Sequence, residues 1–326
     1  MRARVIAVAN QKGGVGKTVT SINLAACLAA RGRRVLLIDL DPQGHCGVGL
    51  GIDTETLTRT AYDLLVDRTA SVHALAITLP WPQLGTLRFV PANLQLSLAE
   101  RELEKRYALP NLALAAKIKT VRGDFDDIII DCPPALSKLT LNAFLACDIV
   151  IIPVAVGFFS IHGVRMLAET LKDIFEETGL DYDIRCLITR YRTGQTVSRD
   201  VRKAADELFG EYCFATVIRE CIDVEKSIGS QTPLTVWAPQ SQAAQDYRAL
   251  SAELMDQLAQ KELRESSPPT TATPTAPTAP TAPTAPTAPT APTAPTAPTA
   301  PTALTVTATA TATATGADDT EAGHGA

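Results

Sequence analysis

The sequence predicts an α/β fold: a doubly wound, mostly parallel sheet flanked by helices, with a disordered C-terminal tail rich in Pro, Thr and Ala. Three observations predict it. Short β-branched, apolar runs alternate with longer stretches of helical periodicity, as in a parallel sheet covered on both faces. A glycine-rich segment separates the first apolar run from the first helical stretch. Composition then changes abruptly, so we expect one domain over residues 1–264 and a low-complexity tail over 265–326.

Each element follows from its local pattern. Apolar runs typical of buried strands occupy residues 5–9, 35–38, 128–130, 149–154 and 187–189. Helical stretches occupy residues 17–31, 97–107, 112–121, 162–177 and 241–264. Gly32 and Gly179 follow the first and fourth of these helices, where glycine favours a helix end. The last helix is amphipathic, with one apolar face formed by Ala244, Tyr247, Leu250, Leu254 and Leu258.

The tail has a different character. Proline recurs at every third position from Pro274 to Pro301, which is incompatible with helix and with sheet hydrogen bonding. The segment is therefore expected to be extended or disordered. Two interpretations stay open: a solvated tail without a specific role, or a spacer that docks a partner.

Charge and cysteine content exclude several classes of protein. The net charge is −5, and three of the excess negative charges come from Asp318, Asp319 and Glu321 in the tail, so any basic surface must be local. The seven cysteines occur singly, without a CxxC pair, which favours reduced thiols in a cytoplasmic protein. The first apolar run is too short for a signal peptide and no 18-residue apolar stretch occurs, so neither export nor a membrane span is expected.

The glycine-rich segment predicts a phosphate site. It reads Lys12-Gly13-Gly14-Val15-Gly16-Lys17-Thr18, with Val19 next, between a strand and a helix. Glycines let the backbone turn its N–H groups towards phosphate oxygens, and the helix directs its positive end at the same point. Lys17 would contact the β- and γ-phosphates of ATP, and the Thr18 hydroxyl would bind Mg²⁺.

The segment departs from the usual G-x-x-x-x-G-K-[ST] pattern. Gln11 stands at the position of the first glycine, and Lys12 adds a second lysine. A lysine five residues before Lys17 is poorly placed to reach the same phosphates from within the same loop.

Further segments resemble the ParA/Soj/MinD family of deviant Walker A ATPases, most closely its chromosome- and plasmid-partitioning branch. These are Val35-Leu36-Leu37-Ile38-Asp39-Leu40-Asp41-Pro42-Gln43-Gly44, Ile128-Ile129-Ile130-Asp131-Cys132-Pro133-Pro134, Thr140-Leu141-Asn142-Ala143, Ile218-Arg219-Glu220 and Ala243-Ala244-Gln245-Asp246-Tyr247. The resemblance covers about residues 4–260 and implies a P-loop NTPase fold that hydrolyses ATP.

The resemblance also implies residue roles. Lys12 matches the signature lysine that crosses a dimer interface to the partner's phosphates, and Asp41 the carboxylate that orients the attacking water. Asp131 matches the Walker B acid, which holds Mg²⁺ directly or through water. Asp39 either supports this region or caps a loop. Adenine is expected near Arg190 and Arg219, where Arg190 could stack on the base or be an ordinary surface arginine.

A basic stretch raises the question of DNA binding. Between residues 184 and 203 the local charge balance is +5. Clustered arginines neutralise DNA phosphates without reading sequence, and the partitioning branch binds nucleoid DNA as an ATP dimer through this region. The expected contacts are Arg192, Arg199, Arg202 and Lys203. A plain solvated helix face is the alternative.

The resemblance thus implies an ATP-dependent homodimer, a ParB-type partner that stimulates hydrolysis, non-specific DNA binding and a nucleoid-associated cytoplasmic location. A MinD-like membrane protein should end in a basic amphipathic helix, and this chain ends in an acidic stretch. Nitrogenase-reductase-like and tyrosine-kinase relatives lack support, because the chain has neither a suitable cysteine pattern nor a tyrosine-rich tail. Relatives that position other cargo, and an ATP-switched scaffold with little hydrolysis, remain as alternatives.

Overall fold

The computed structural model describes residues 2–85, 87–157, 172, 176, 178, 179 and 183–266, with the backbone alone for 264–266. These residues lie in one compact unit, Met1–Thr270. Nearly all of the predicted helix 162–177, and the predicted tail from residue 267 onwards, lie outside the described residues.

Seven strands of the described part form one sheet in the order β3-β4-β2-β5-β1-β6-β7. The strands are β1 Arg4–Val8, β2 Val35–Asp39, β3 Ile77–Thr78, β4 Arg88–Val90, β5 Asp127–Asp131, β6 Ile149–Ala155 and β7 Asp183–Thr189. Neighbours pair in parallel, except that β3 pairs antiparallel with β4. The five predicted strands are confirmed. The short strands β3 and β4 were not predicted, because two or three residues carry too little periodicity.

Helices cover this sheet. Those of the described residues are α1 Lys17–Ala30, α2 His45–Gly49, α3 Ala61–Val66, α4 Val72–Leu75, α5 Ala99–Arg106, α6 Ala113–Val121, α7 Lys138–Phe144, α8 Thr196–Phe209, α9 Ile222–Gly229, α10 Leu234–Trp237 and α11 Gln242–Ser266. The predicted helices 17–31, 112–121 and 241–264 are confirmed within two residues. The predicted helix 97–107 is shorter, since Leu94–Leu98 forms a 3₁₀ turn before α5.

Two apolar layers show why the sheet is doubly wound. Alternate residues of β1 point to opposite faces: Ile6 and Val8 join one layer, Val5 and Ala7 the other. The first layer packs against α1 and α11, and the Tyr247 hydroxyl lies 3.3 Å from Thr20 Oγ1 between these two helices. The second layer packs against α3, α5, α6 and α7. Burial on both faces explains the continuous apolar reading of the central strands.

The sheet register brings three strand ends to one level. Asp131 at the end of β5 pairs with Val8 of β1 on one side and with Asp39 of β2 on the other. The residues that follow β1 and β2 therefore emerge beside Asp131. In open parallel sheets this carboxyl edge is where ligands bind.

Candidate functional site

The loop after β1 has the geometry of a phosphate cradle. Gly14 (φ 72°) and Gly16 (φ 89°) adopt left-handed backbone conformations that disfavour other residues. Gly16 caps the start of α1, and its carbonyl accepts the hydrogen bond from the Thr20 N–H at 2.9 Å. The first N–H groups of α1 have no partner within the helix, so they are available to an anion.

Lys17 is a nearly buried cation, 7% exposed, at the first turn of α1. Its Nζ donates to the Lys12 carbonyl oxygen at 3.2 Å. Burial lowers the pKa of Lys17, while the charges of Asp131 and Asp41 act in the opposite direction. The ammonium group thus stands where positive charge is poorly solvated and an anionic ligand would stabilise it.

Asp131 connects several residues of the site through hydrogen bonds. Its fully buried carboxylate accepts hydrogen bonds from Thr18 Oγ1 at 2.7 Å, Ser21 Oγ at 2.8 Å and, more weakly, Cys46 Sγ at 3.4 Å. Burial raises the pKa of Asp131 to about 6, although these hydrogen bonds and Lys17 oppose the rise. Ser21 was not predicted, but its position four residues after Lys17 on the same helix face was available as a signal.

A second buried carboxylate lies next to the first. Asp39 is fully buried, and burial together with the charge of Asp131 raises its pKa above the ordinary range. One ligand atom each from Asp39, Cys46 and Asp131 lies within 4.8 Å of the others. Both buried carboxyl groups have a raised pKa, and a bound cation would favour their ionised forms. Carboxylate and hydroxyl oxygens in this arrangement fit a hard divalent cation such as Mg²⁺.

Asp39 also organises the loop that carries Asp41. Its two oxygens accept hydrogen bonds from the N–H groups of Asp41 at 2.9 Å and Cys46 at 3.1 Å. Asp41 in turn accepts from the Gln43 N–H at 3.0 Å and is 6% exposed. The surroundings of Asp39 agree with both interpretations of this residue, because it accepts hydrogen bonds from loop N–H groups and also lies next to Asp131.

Lys17, Thr18 and Asp41 line a cavity of about 440 Å³, whereas the fully buried Asp39 and Asp131 are not among its lining residues. The wall of this cavity also includes the P-loop glycines, Val19, Gln43, Pro134 and Ile228. Lys12 is exposed and is not among the lining residues. Within the described part of the chain, the Lys12 side chain makes no hydrogen bond or ion pair; its backbone N–H donates to Asn10 Oδ1 at 3.0 Å, and its carbonyl oxygen accepts from Lys17 Nζ at 3.2 Å.

A smaller cavity of about 180 Å³ adjoins the same loop. Its lining includes Gly14, Gly16 and Val19 together with Arg190 and Arg219, the two arginines expected near adenine, and a role in adenine binding stays a prediction. The cavity is supported by Thr189, whose buried Oγ1 donates to the Val15 carbonyl at 2.8 Å.

Both arginines of this cavity are already paired. Arg190 has a left-handed backbone conformation (φ 53°) and donates a hydrogen bond to Glu220 at 3.2 Å. Arg219 donates hydrogen bonds to the Asp246 carboxylate at 2.6–3.1 Å. Stacking of Arg190 on a base would thus compete with its ion pair. Lining residues that were not predicted include Cys221, Val224 and Glu225.

Acidic neighbours pair with several of the predicted DNA contacts, so less unpaired positive charge is available there than the sequence suggests. Arg192 pairs with Glu220, and Arg202 donates to Asp206 at 2.8 Å and to the Phe214 carbonyl at 2.9 Å. Arg199 and Lys203 lie on the exposed side of α8, with one backbone bond at 3.4 Å and one loose ion pair at 3.9 Å.

The count of +5 for this region requires a correction. It included Arg185, which is 7% exposed and bound to Asp183 on the same strand. Acidic partners just outside the counted window further reduce the excess charge.

Within the ranges that the structure describes, no helix is long and apolar enough to cross a membrane.

Comparison with known proteins gives consistent matches. A family model described as an AAA domain matches residues 3–184. The sporulation initiation inhibitor protein Soj of Bacillus subtilis is 35% identical over 255 residues, covering 77% of this chain and 98% of Soj. The chromosome partitioning protein ParA of Caulobacter vibrioides is 36% identical over 255 residues, covering 77% of this chain and 94% of ParA.

One solved structure adds a ligand-bound comparison. Cobyrinic acid a,c-diamide synthase from Mycobacterium smegmatis, with an ATP analogue and magnesium bound, is 32% identical with a TM-score of 0.69. The match covers 79% of this chain and 97% of that enzyme.

Proposed function

We propose a function for this chain on the basis of its family. The chain belongs to the ParA/Soj/MinD family of deviant Walker A ATPases. It binds ATP with Mg²⁺ in the cavity at the carboxyl ends of β1, β2 and β5, and hydrolyses ATP as a homodimer. The dimer binds DNA without sequence preference and partitions a chromosome or plasmid with a ParB-type partner that stimulates hydrolysis. Such a protein acts in the cytoplasm, on the nucleoid.

The observation that carries this proposal is the different placement of two lysines in the same loop. Lys17 lies inside the cavity beside Asp131 and Asp41, whereas Lys12 is exposed and does not line it. A lysine whose side chain lies outside its own cavity is available to a site on another protomer. Nucleotide binding and dimerisation are then coupled through the same loop.

Each residue of the site has its own role in this proposal. Thr18 and Asp131 would hold Mg²⁺, which neutralises charge on the phosphates when bound. Lys17 and the N–H groups at the start of α1 bind the phosphate oxygens. Asp41, fixed by the Gln43 N–H and by the loop that Asp39 organises, orients the attacking water. Lys12 of the partner subunit completes the charge balance around the transferred phosphoryl group.

Hydrolysis is tested by phosphate release in the presence of Mg²⁺ and DNA. Asp41→Ala is expected to bind ATP and dimerise but to lose turnover, whereas Lys17→Ala is expected to lose ATP binding. Asp53→Ala, at an exposed carboxylate outside the cavity, is the matched control. Equal turnover in wild type and Asp41→Ala would leave Asp41 without a role, and dimerisation without any turnover in the wild type would favour the ATP-switched scaffold.

DNA binding is tested with a labelled duplex of random sequence at several salt concentrations. Binding is expected with ATP and weak with ADP, and it should fall steeply with salt because Arg199 and Lys203 displace counterions. Affinity that is independent of nucleotide and salt would remove the nucleoid step. Stimulation of turnover by a ParB-type protein then separates partitioning from the transport of another cargo.

A further inference from the structure

Two cysteines of the second apolar layer face each other across neighbouring chain segments. Cys186 on β7 and Cys213, just after the Gly210–Tyr212 turn, form an isolated parallel bridge. The Phe214 N–H donates to the Cys186 carbonyl at 2.9 Å. Both are free thiols, fully buried at Cys186 and 6% exposed at Cys213, and both belong to the same layer of the core. Their side chains therefore lie on the same side of the sheet.

This pairing satisfies the geometry of a disulfide. Paired backbones in a sheet lie about 4.7–4.9 Å apart, within the range of about 4.4–6.8 Å between Cα atoms that a disulfide spans. Little backbone movement is needed to join the two thiols.

The two thiols differ in character. Hydrogen bonding with the Cys186 thiol lowers the pKa of Cys213 against the opposing effect of burial; the guanidinium of Arg202 adds to the lowering, and the carboxylate of Asp206 opposes it. Arg202 is held beside this pair by its bond to the Phe214 carbonyl at 2.9 Å. The same hydrogen bond and burial raise the pKa of Cys186. Cys213 is thus the better nucleophile, and Cys186 the thiol that stays protonated.

We propose that Cys186 and Cys213 form a redox-active pair that a peroxide converts to an intramolecular disulfide. The Cys213 thiolate attacks one peroxide oxygen, the O–O bond breaks, and a sulfenic acid forms on Cys213. The Cys186 sulfur then attacks the Cys213 sulfur, the S–O bond breaks, and water leaves with the Cys186 proton. Two thiols and one hydrogen peroxide give one disulfide and two waters, so the thiols lose two electrons and the peroxide gains them.

The position of the pair links it to the smaller cavity. Strand β7 continues from Cys186 to Thr189 and Arg190, and the segment after Cys213 continues to Ile218 and Arg219. These four residues line that cavity, and the two segments are joined beside it by the hydrogen bond from the Ile218 N–H to the Ile188 carbonyl at 2.8 Å. An oxidised pair would covalently fix the two segments a few residues before they reach it. The proposal concerns the redox state of the chain and stands independently of ATP hydrolysis.

Peptide mapping of the intact, native protein tests the proposal. The reduced full chain is treated with hydrogen peroxide, and free thiols are then blocked with N-ethylmaleimide in denaturant before trypsin digestion. Cleavage after Arg185, Arg190, Lys203 and Arg219 isolates the two cysteines in peptides 186–190 and 204–219. Oxidation should join these peptides with the loss of two hydrogens, and dithiothreitol should separate them.

Variants make the test specific. Cys213→Ser should abolish the linked peptide and leave Cys186 open to alkylation, whereas Cys221→Ser, at a partly exposed cysteine outside the pair, should retain the link. A wild-type map in which Cys186 and Cys213 both stay alkylated would overturn the proposal even if the variants fail to fold. Linkage of either cysteine to a different residue or to a second chain would also overturn it.

Discussion

Replacing Asp131 by Asn should increase the stability of the nucleotide-free protein while removing its response to Mg²⁺ and ATP. The carboxylate is fully buried and takes three hydrogen bonds but no direct ion pair among the described residues. An Asn side chain keeps an acceptor for Ser21. Its amide can donate to the Thr18 hydroxyl, which accepts as well as donates. The substitution therefore removes a buried charge and leaves few polar groups unpaired.

The magnitude follows from the shift of the carboxyl pKa. Burial raises the pKa of Asp131 from 3.8 to about 6, which corresponds to a destabilisation of about 3 kcal/mol when the group is ionised. Between these values the Asp131 carboxyl binds more protons in the folded state than in the unfolded state, so its contribution to stability falls as pH rises from about 4 to 6 and is then constant. Asp131→Asn should gain most at pH 7 and little at pH 4.

Urea unfolding in EDTA measures the effect, and Asp127→Asn at the other end of β5 is the matched control. Asp127 is also buried, but it pairs with Arg4 at 2.9 Å and with Arg33. Its substitution removes the negative charge that both ion pairs need and should destabilise by about 1–3 kcal/mol. Lower stability of Asp131→Asn than of wild type at pH 7, or a difference that does not change with pH, would refute the reasoning.

Two further predictions concern neighbouring features. Thr189→Val leaves the Val15 carbonyl without its hydrogen bond, so urea unfolding should show a loss of about 1–2 kcal/mol, whereas Thr189→Ser should retain stability; equal losses would contradict this account. Lys203→Ala should reduce the salt dependence of DNA binding by about one counterion without changing stability. Arg202→Ala should instead lower the melting temperature, because Arg202 binds the Phe214 carbonyl; unchanged stability would contradict that structural role.

The fold was largely predictable because its strongest signals are local. Continuous apolar runs are typical of strands buried on both faces, and the sequence Gly16-Lys17-Thr18 marks the junction of β1 and α1. The register that brings Asp131 level with Val8 and Asp39 is a property of the sheet and only becomes visible in the structure. The short strands β3 and β4 depend on pairing with neighbours and have no clear periodicity of their own.

Only the site residues that belong to sequence motifs could be predicted from the sequence. Ser21 is an ordinary helix residue in the sequence, and only its 2.8 Å contact shows that it serves Asp131. The charge of Arg185 was misjudged, although Asp183 stands two residues before it on the same strand and therefore on the same face. The partner of Arg192, Glu220, lies 28 residues away, and no local pattern indicates that pairing.

Mixing two inactive variants tests most directly whether one nucleotide site needs two protomers. In a heterodimer of Lys12→Ala and Asp41→Ala, one site combines Asp41 of the first protomer with Lys12 of the second and is intact. With equal amounts and random pairing, half of the dimers carry one intact site, so phosphate release should recover to about a quarter of the wild-type rate. If Lys12 acts within its own protomer, every site lacks either Lys12 or Asp41. A mixture no more active than the mean of the two variants would contradict the account.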